Sequence, residues 1–171
     1  MISLLVIGGI LLVLFGGVAL IGAPYVPSKP RDLPTVFTEL YPLGANDVLV
    51  DIGSGDGVVL RYAARYGARA IGYELNPILV SISRWLSRAN NRISTRCCDF
   101  WRTPLPLEVT VCYIFAESRD INRMATRVQQ AATRAGRPVA LISYGFMLRD
   151  YPLVRSIGAH HLYQIPPLHP A

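Results

Sequence analysis

Charge is scarce in this 171-residue chain: only 16% of residues are Asp, Glu, Lys or Arg. A disordered tail or a nucleic-acid-binding arm would carry far more, so both are excluded. Lysine is nearly absent, with Lys29 the only one among 17 basic residues, and arginine supplies almost all of the net charge of +6. Cysteine is limited to Cys97, Cys98 and Cys112. Two adjacent thiols and a distant third make neither a disulfide framework nor a zinc pattern, and they are expected to be buried and reduced. The length leaves room for one domain and not for two catalytic ones. What the chain has in plenty is apolar surface: 51% of residues are hydrophobic, and the mean hydropathy of +0.33 is high for a soluble domain.

One end supplies much of that excess. From Ile2 to Ala23 no residue is charged, and as a helix this run would reach ~33 Å, about the hydrocarbon thickness of a bilayer. A cleaved signal peptide would want positive charge before the run and a small-x-small site after it, and neither is present. The run is therefore expected to be an uncleaved transmembrane anchor over 1–23. Lys29 and Arg31 follow it and nothing basic precedes it, so the positive-inside rule predicts a single-pass protein with its main domain in the cytoplasm. Gly9, Gly16 and Ala23 recur every seven residues, a spacing that would suit a packing groove for a partner helix. Prolines 24, 27, 30 and 34 then predict a stiff linker over 24–34, leaving 35–171 as the domain proper.

That domain alternates strand and helix signals. Apolar runs at 47–52 and 68–73, the second ending at Glu74, read as buried strands, further strands are expected at 93–98, 109–115 and 138–143, and 58–66, 77–89 and 119–135 read as helices. Two short strands are expected in the tail, at 153–157 and 161–165, around Gly158. This order predicts an α/β fold: a Rossmann-like, mostly parallel sheet with helices on both faces. Such sheets bind ligands beyond the carboxyl ends of their strands, where the strand order reverses.

The informative chemistry sits at three successive strand ends. Asp51-Ile52-Gly53-Ser54-Gly55-Asp56-Gly57 follows the first strand and opens a helix, and glycines there let backbone approach a ligand closely. A dinucleotide fingerprint would need glycine or alanine where Val58 stands. Asp51 would moreover repel a pyrophosphate, whereas it suits a ligand bearing an ammonium group. Glu74 ends the second strand, where a carboxylate can accept both hydroxyls of a ribose. Asp99 follows the third and could accept from an adenine amino group. Ammonium, ribose and adenine together describe S-adenosylmethionine.

On VDIGSGDG, GYELNP and CDFW the chain resembles the seven-strand (class I) S-adenosylmethionine-dependent methyltransferases, over roughly residues 24–165. With the apolar run and Pro-Tyr-Val-Pro before them, these motifs look like the small membrane-anchored protein lysine methyltransferases, whose mitochondrial members modify the ADP/ATP carrier and the ATP-synthase c subunit. The resemblance implies cofactor binding by Asp51, Gly53, Ser54, Gly55, Glu74 and Asp99, with Tyr25 near the cofactor mouth. Two departures matter. Tyr113-Ile114-Phe115-Ala116-Glu117 lacks the Asn/Asp-Pro-Pro-Tyr signature of enzymes that methylate bases or glutamine, which agrees with the lysine branch. The chain is also short, so its last two strands must come from the tail with little helix between them.

Methyl transfer is an in-line displacement from a sulfonium, already a good leaving group, so catalysis can come largely from holding a neutral amine in line and desolvated. An apolar or aromatic channel lowers a lysine's pKa and favours that neutral form. Tyr25, Trp101, Tyr113 and Phe115 are the channel candidates, although Tyr113 and Phe115 fit a core role equally well and Trp101 could pack beside adenine. No general base is evident beyond Glu117, which also fits a helix-dipole partner. His160 and His161 should point to opposite faces of one strand, and no metal site is expected. Arginines recur at four-residue spacing on three predicted helices (Arg61, Arg65, Arg69; Arg84, Arg88, Arg92; Arg119, Arg123, Arg127). They read as solvated faces or as contacts to anionic headgroups. Nucleic acid is not expected, because the interleaved stacking aromatics it would want are missing.

The expected function is methylation of a lysine on a membrane-associated protein. A methyltransferase for a small or lipid-soluble molecule, and a catalytically silent membrane-anchored protein that binds the cofactor or scaffolds partners, are the alternatives.

Overall fold

The computed structural model describes residues 30–115 and 120–168. The apolar run, Tyr25, Glu117, Arg119 and His169 lie outside the described residues. Among the described residues, no helix is long and apolar enough to cross a membrane.

The chain enters through α1 (Leu33–Thr35), continued by a π-helical turn over Val36–Leu40. It then alternates through β1 (Val48–Ile52), α2 (Val58–Arg65), β2 (Arg69–Glu74), α3 (Pro77–Ser87), β3 (Ile93–Cys97), β4 (Val111–Phe115), α4 (Ile121–Ala135) and β5 (Val139–Tyr144). β6 (Arg155–Ile157) and β7 (His160–Ile165) close it. Among the described residues these strands form one sheet, in the order β3-β2-β1-β4-β5-β7-β6. β1 to β5 pair in parallel, while β7 runs antiparallel to both β5 and β6. The mostly parallel sheet and the tail origin of its last two strands are as expected. Gly158, at φ +58°, turns the chain between β6 and β7, a conformation glycine adopts without steric cost.

Alternation along the strands builds two cores. Val50, Ile71, Cys112, Ile114 and Leu141 face α4 together with Phe100, Leu105 and Val109. Leu49, Ala70, Tyr113 and Ile142 face α1 and α2 on the other side. A sheet buried on both faces explains the unbroken apolar runs that mark these strands. The thiols divide: Cys112 is buried, Cys98 half-buried and Cys97 exposed, so the expectation of uniform burial is corrected. Burial pushes the Cys112 thiol well above the ordinary range and keeps it protonated.

Two further expectations are corrected. Leu33 and Pro34, read as the end of a linker, start a helix. Leu33 is fully buried, and Pro34 lies in the first turn, where its missing N–H costs nothing. Arg69 sits in β2 and Arg92 precedes β3, so neither extends a helical arginine row. Of the other described row members, Arg65, Arg84, Arg88 and Arg123 are exposed, as a solvated face requires, whereas Arg127 donates to the carbonyls of Phe100 and Thr103; Arg134, outside the rows, donates to that of Leu105.

α1 and its π-turn cover the sheet through Phe37, whose ring meets Tyr66 and Tyr113 edge-on at centroid separations of 6.2 and 6.4 Å. Phe37→Ala is expected to cost about 3–5 kcal/mol, the usual range for emptying a buried aromatic site. Urea denaturation checks this. A loss well under 1 kcal/mol would mean that the segment covers the sheet without stabilising it.

Candidate active site

The sheet order reverses between β1 and β4, and the loop after β1 opens at that switch point, where open α/β sheets take ligands. Its turn is set by backbone bonds: the N–H groups of Gly53 and Ser54 both donate to the Tyr73 carbonyl, and Gly57 N–H donates to that of Ser54. Gly53 has φ +77°, and a Cβ built there meets nothing within 4 Å. Its outer side is thus open space, available for an approaching ligand. Beneath the loop the reverse holds. A Cβ on Gly72 would collide with the Ser54 hydroxyl and Leu60, so β2 must be bare there for the loop to settle on it.

Glu74 ties this loop to the next strand end. Oε2 accepts from Gly55 N–H at 2.9 Å and Oε1 from Asn76 N–H at 2.8 Å. Asn76 in turn caps α3 by accepting from Ile78 N–H at 2.9 Å. A carboxylate oxygen carries two lone pairs, so each can accept a further hydroxyl. The clamp formed by Asn76 and the Arg61–Asp56 ion pair at 3.0 Å were missed in the sequence. The Asn-Pro at a strand-to-helix junction was the available signal for the first, and the five-residue Asp–Arg spacing for the second.

Asp51 is the electrostatic anomaly. It is 4% exposed, and among the described residues no cation lies within ion-pairing distance of it. Burial pushes its carboxyl well above the ordinary carboxylate range, and the negative charges of Glu74 and Asp56 push it further. Ser54 adds a buried hydroxyl with no hydrogen-bond partner. A buried acid with no counter-ion, an orphaned hydroxyl and an open glycine turn suit a ligand that brings its own ammonium group and polar atoms.

Asp99 lies beyond β3 and accepts from Trp101 N–H at 2.9 Å, with the Arg102 guanidinium 3.6 Å away. Trp101 is half-buried between the Phe100 ring and Arg123, whose guanidinium stacks 4.2 Å from its centroid. Phe115 ends β4 and meets Tyr144, at the end of β5, at 5.3 Å. Tyr113 belongs to the core. It is 1% exposed, and its hydroxyl shares a 2.9 Å hydrogen bond with His160 Nε2, so it lines no channel. Burial lowers the pKa of His160 and favours the neutral ring. His161 turns the other way, to Ser156 at 2.7 Å. Among the described residues, no group of three or more His, Cys, Asp or Glu side chains is placed to hold a metal. A recess of about 430 Å³ between Leu105 and α4 is lined by none of the glycine-loop residues.

A seven-strand sheet with its last-formed strand antiparallel, and an acid-flanked glycine loop at the switch point, define the class I methyltransferase architecture. Comparison agrees: a family described as "Methyltransferase domain" matches residues 50–138, more than half of the chain. The chain belongs to that family, whose methyl donor is S-adenosylmethionine. Among curated proteins, it is 32% identical over 120 residues to a Xenopus laevis lysine N-methyltransferase of the ATP-synthase c subunit, covering 68% of this chain and 52% of the relative. It is 36% identical over 86 residues to a mouse adenine nucleotide translocase lysine N-methyltransferase, covering 48% and 37%. The chain thus spans about half the length, or less, of these relatives. An RNA methyltransferase from Salinibacter ruber, solved with S-adenosyl-L-homocysteine, shares the fold with a TM-score of 0.73 at 23% identity, over 85% of this chain and 97% of that one.

Asp51 separates stability from binding. Because folding raises its pKa, the stability it contributes is present below the unfolded carboxyl pKa and is lost as pH rises through the folded value. Asp51→Asn is therefore expected to raise Tm at neutral pH, an advantage that fades below the ordinary carboxylate range. The same change should weaken S-adenosylmethionine binding by about tenfold or more, through loss of a charge-assisted contact. Thermal scans against pH and calorimetric titration read the two effects, and a substitution that lowers Tm at neutral pH would contradict this account.

Proposed function

We propose that this chain is an S-adenosylmethionine-dependent protein-lysine methyltransferase, held at a membrane by residues 1–23 with its domain on the cytoplasmic side and acting on a lysine of a membrane-associated protein. The observation that carries the cofactor reading is the buried Asp51, without a counter-ion among the described residues, beneath an open glycine turn. The lysine reading is supported by the activities of the relatives, lysine N-methyltransferases of the ATP-synthase c subunit and of the adenine nucleotide translocase, and by the motifs that resemble them. The membrane reading rests on the uncharged run from Ile2 to Ala23.

In this assignment Asp51 holds the ammonium group of the cofactor, Gly53, Ser54 and Gly55 give it a close floor, Glu74 accepts from its ribose and Asp99 from its adenine. The bound cofactor supplies an electrophilic methyl group on a sulfonium. The protein's own task is to present a neutral amine. Aromatic rings at the strand ends serve this by excluding water, which disfavours the charged ammonium. Phe115 and Tyr144 stand there as a pair, and Trp101 borders Asp99 in the neighbouring loop. Tyr25 belongs with them in this proposal.

Calorimetry on the full chain in detergent tests the cofactor, with NAD as control. Micromolar binding of S-adenosylmethionine is expected, weakened by ~1–3 kcal/mol in Glu74→Ala as a charge-assisted pair is lost. Labelled methyl transfer in membrane fractions then tests the acceptor. Label on a protein lysine supports the proposal, whereas label confined to lipid-soluble molecules would replace the acceptor. Failure of a folded chain to bind the cofactor would refute the site assignment.

A further inference from the structure

The helix behind Glu74 turns its more apolar face away from the fold. Val80, Ser83 and Ser87 pack inward. Opposite them, Leu75, Ile82, Trp85 and Leu86 are 43%, 39%, 63% and 41% exposed. At a helical pitch Ile82, Trp85 and Leu86 share one outward stripe along α3, with Leu75 at its head. Solitary exposed apolar residues need no explanation, but three on one face of a helix with a fourth just ahead of it do.

The edge of this stripe is basic. Arg84 and Arg88 flank it, and between Leu75 and Cys98 the sequence holds four arginines and no acid. Arg88 lies over the Trp85 ring at 4.9 Å. Beside the stripe, between the end of α3 and the open edge of β3, is a recess of about 330 Å³ that Arg84, Ser87, Arg88 and Asn91 help to line. Ser87 is 7% exposed and its hydroxyl has no hydrogen-bond partner. Arg84 spends two of its five N–H donors on the Thr95 carbonyl, leaving donors for another acceptor.

We propose that the outward face of α3 docks on a membrane containing anionic phospholipid, the apolar stripe entering the interface and a headgroup phosphate seating in the recess beside Arg84, Ser87 and Arg88. A helix with this make-up, apolar and tryptophan-bearing on one side and arginine-edged, lies in the plane of a bilayer interface. The absence of any acid along 75–98 is what favours a lipid surface over a protein partner, since an anionic bilayer meets the whole patch with one sign of charge. Docked so, the domain would rest on its β3 edge, with the head of α3 and the adjoining Glu74 at bilayer level. The proposal extends the membrane reading of the previous subsection but does not depend on the methyl acceptor.

The test uses the full chain carrying Trp101→Phe, which leaves Trp85 as its one tryptophan, reconstituted into vesicles with shallow brominated acyl chains. In vesicles containing phosphatidylglycerol, Trp85 emission is expected to fall ~twofold, as for a ring seated just below the headgroups. It should recover in neutral phosphatidylcholine and in the Arg84→Gln/Arg88→Gln variant, with Arg88→Gln alone as the milder change should the double variant unfold. Absence of quenching in anionic vesicles that the chain still floats with would overturn the proposal. Equal quenching in neutral vesicles would remove the headgroup site. Shielding of Trp85 in detergent that grows with protein concentration would make a second copy the occupant and overturn the lipid. Flotation reads the N-terminal run and calorimetry reads the cofactor, so failure of either is distinguishable from failure at Trp85.

Discussion

Two hydrogen bonds from backbone N–H groups to one carboxylate hold the working end of this domain together. Glu74 takes Gly55 on one oxygen and Asn76 on the other, binding the loop after β1 to the turn after β2. Packing holds neither loop firmly: the first is rich in glycine, which brings no side chain to bury, and Leu75 in the second is 43% exposed. Charge-assisted bonds from backbone donors are short and directional, and they fix position where packing cannot. The helix that follows is pinned by the same residue pair, because Asn76 both donates to Glu74 and caps α3. The position of the glycine loop, the direction of α3 and the placement of the exposed α3 stripe thus share one origin.

Against that ordered frame Asp51 is held at a cost. Its burial near Glu74 and Asp56, with no cation among the described residues to pair with it, stores an electrostatic penalty that a fold selected only for stability would discard. A ligand with a positive group relieves it on arrival, so part of the recognition energy is present in the protein before binding. Packing makes the penalty possible: β1 is covered on both faces, and water that would screen the carboxylate is excluded by the same side chains that give the strand its apolar run.

The parts legible in the sequence were those where one local rule acts alone. β1 and β2 are short, largely apolar stretches, the first ended by a glycine loop and the second by Glu74 and Asn-Pro, and no competing signal overlies them. The segment 33–40 was illegible because two rules conflict. Prolines 30 and 34 read as a spacer, while Leu33, Val36, Phe37 and Leu40 follow a helical spacing that became visible only as burial. Tyr113 was ambiguous for a different reason: in a strand covered on both sides, alternation does not say which face is core and which leads to a site. Its partner His160 could not be foreseen, since a histidine gives no sign in sequence that a tyrosine forty-seven residues earlier will reach it. Glu74 and Asp51 were found by chemistry, but their mutual repulsion and the burial that sharpens it are properties of the assembled site.

The arginines show how a sequence pattern can be right in kind and wrong in place. Rows at four-residue spacing suggest solvated faces, yet Arg69 and Arg92 lie off the helices, and Arg127, Arg134 and Arg137 spend donors on the carbonyls of Phe100, Thr103, Leu105 and Val109. There the guanidinium groups satisfy a long connection between β3 and β4 that has few hydrogen bonds of its own, which is a structural use of charge. The arginines of α3 also spend donors on carbonyls, Arg84 on that of Thr95 and Arg88 on that of Trp85, but their surroundings differ. Its arginines edge an exposed apolar stripe, and the recess they share contains a hydroxyl left without a partner. Where arginine closes the backbone accounts the surface needs no further explanation; where it borders uncovered apolar area and an unmet polar group, the fold alone does not account for it.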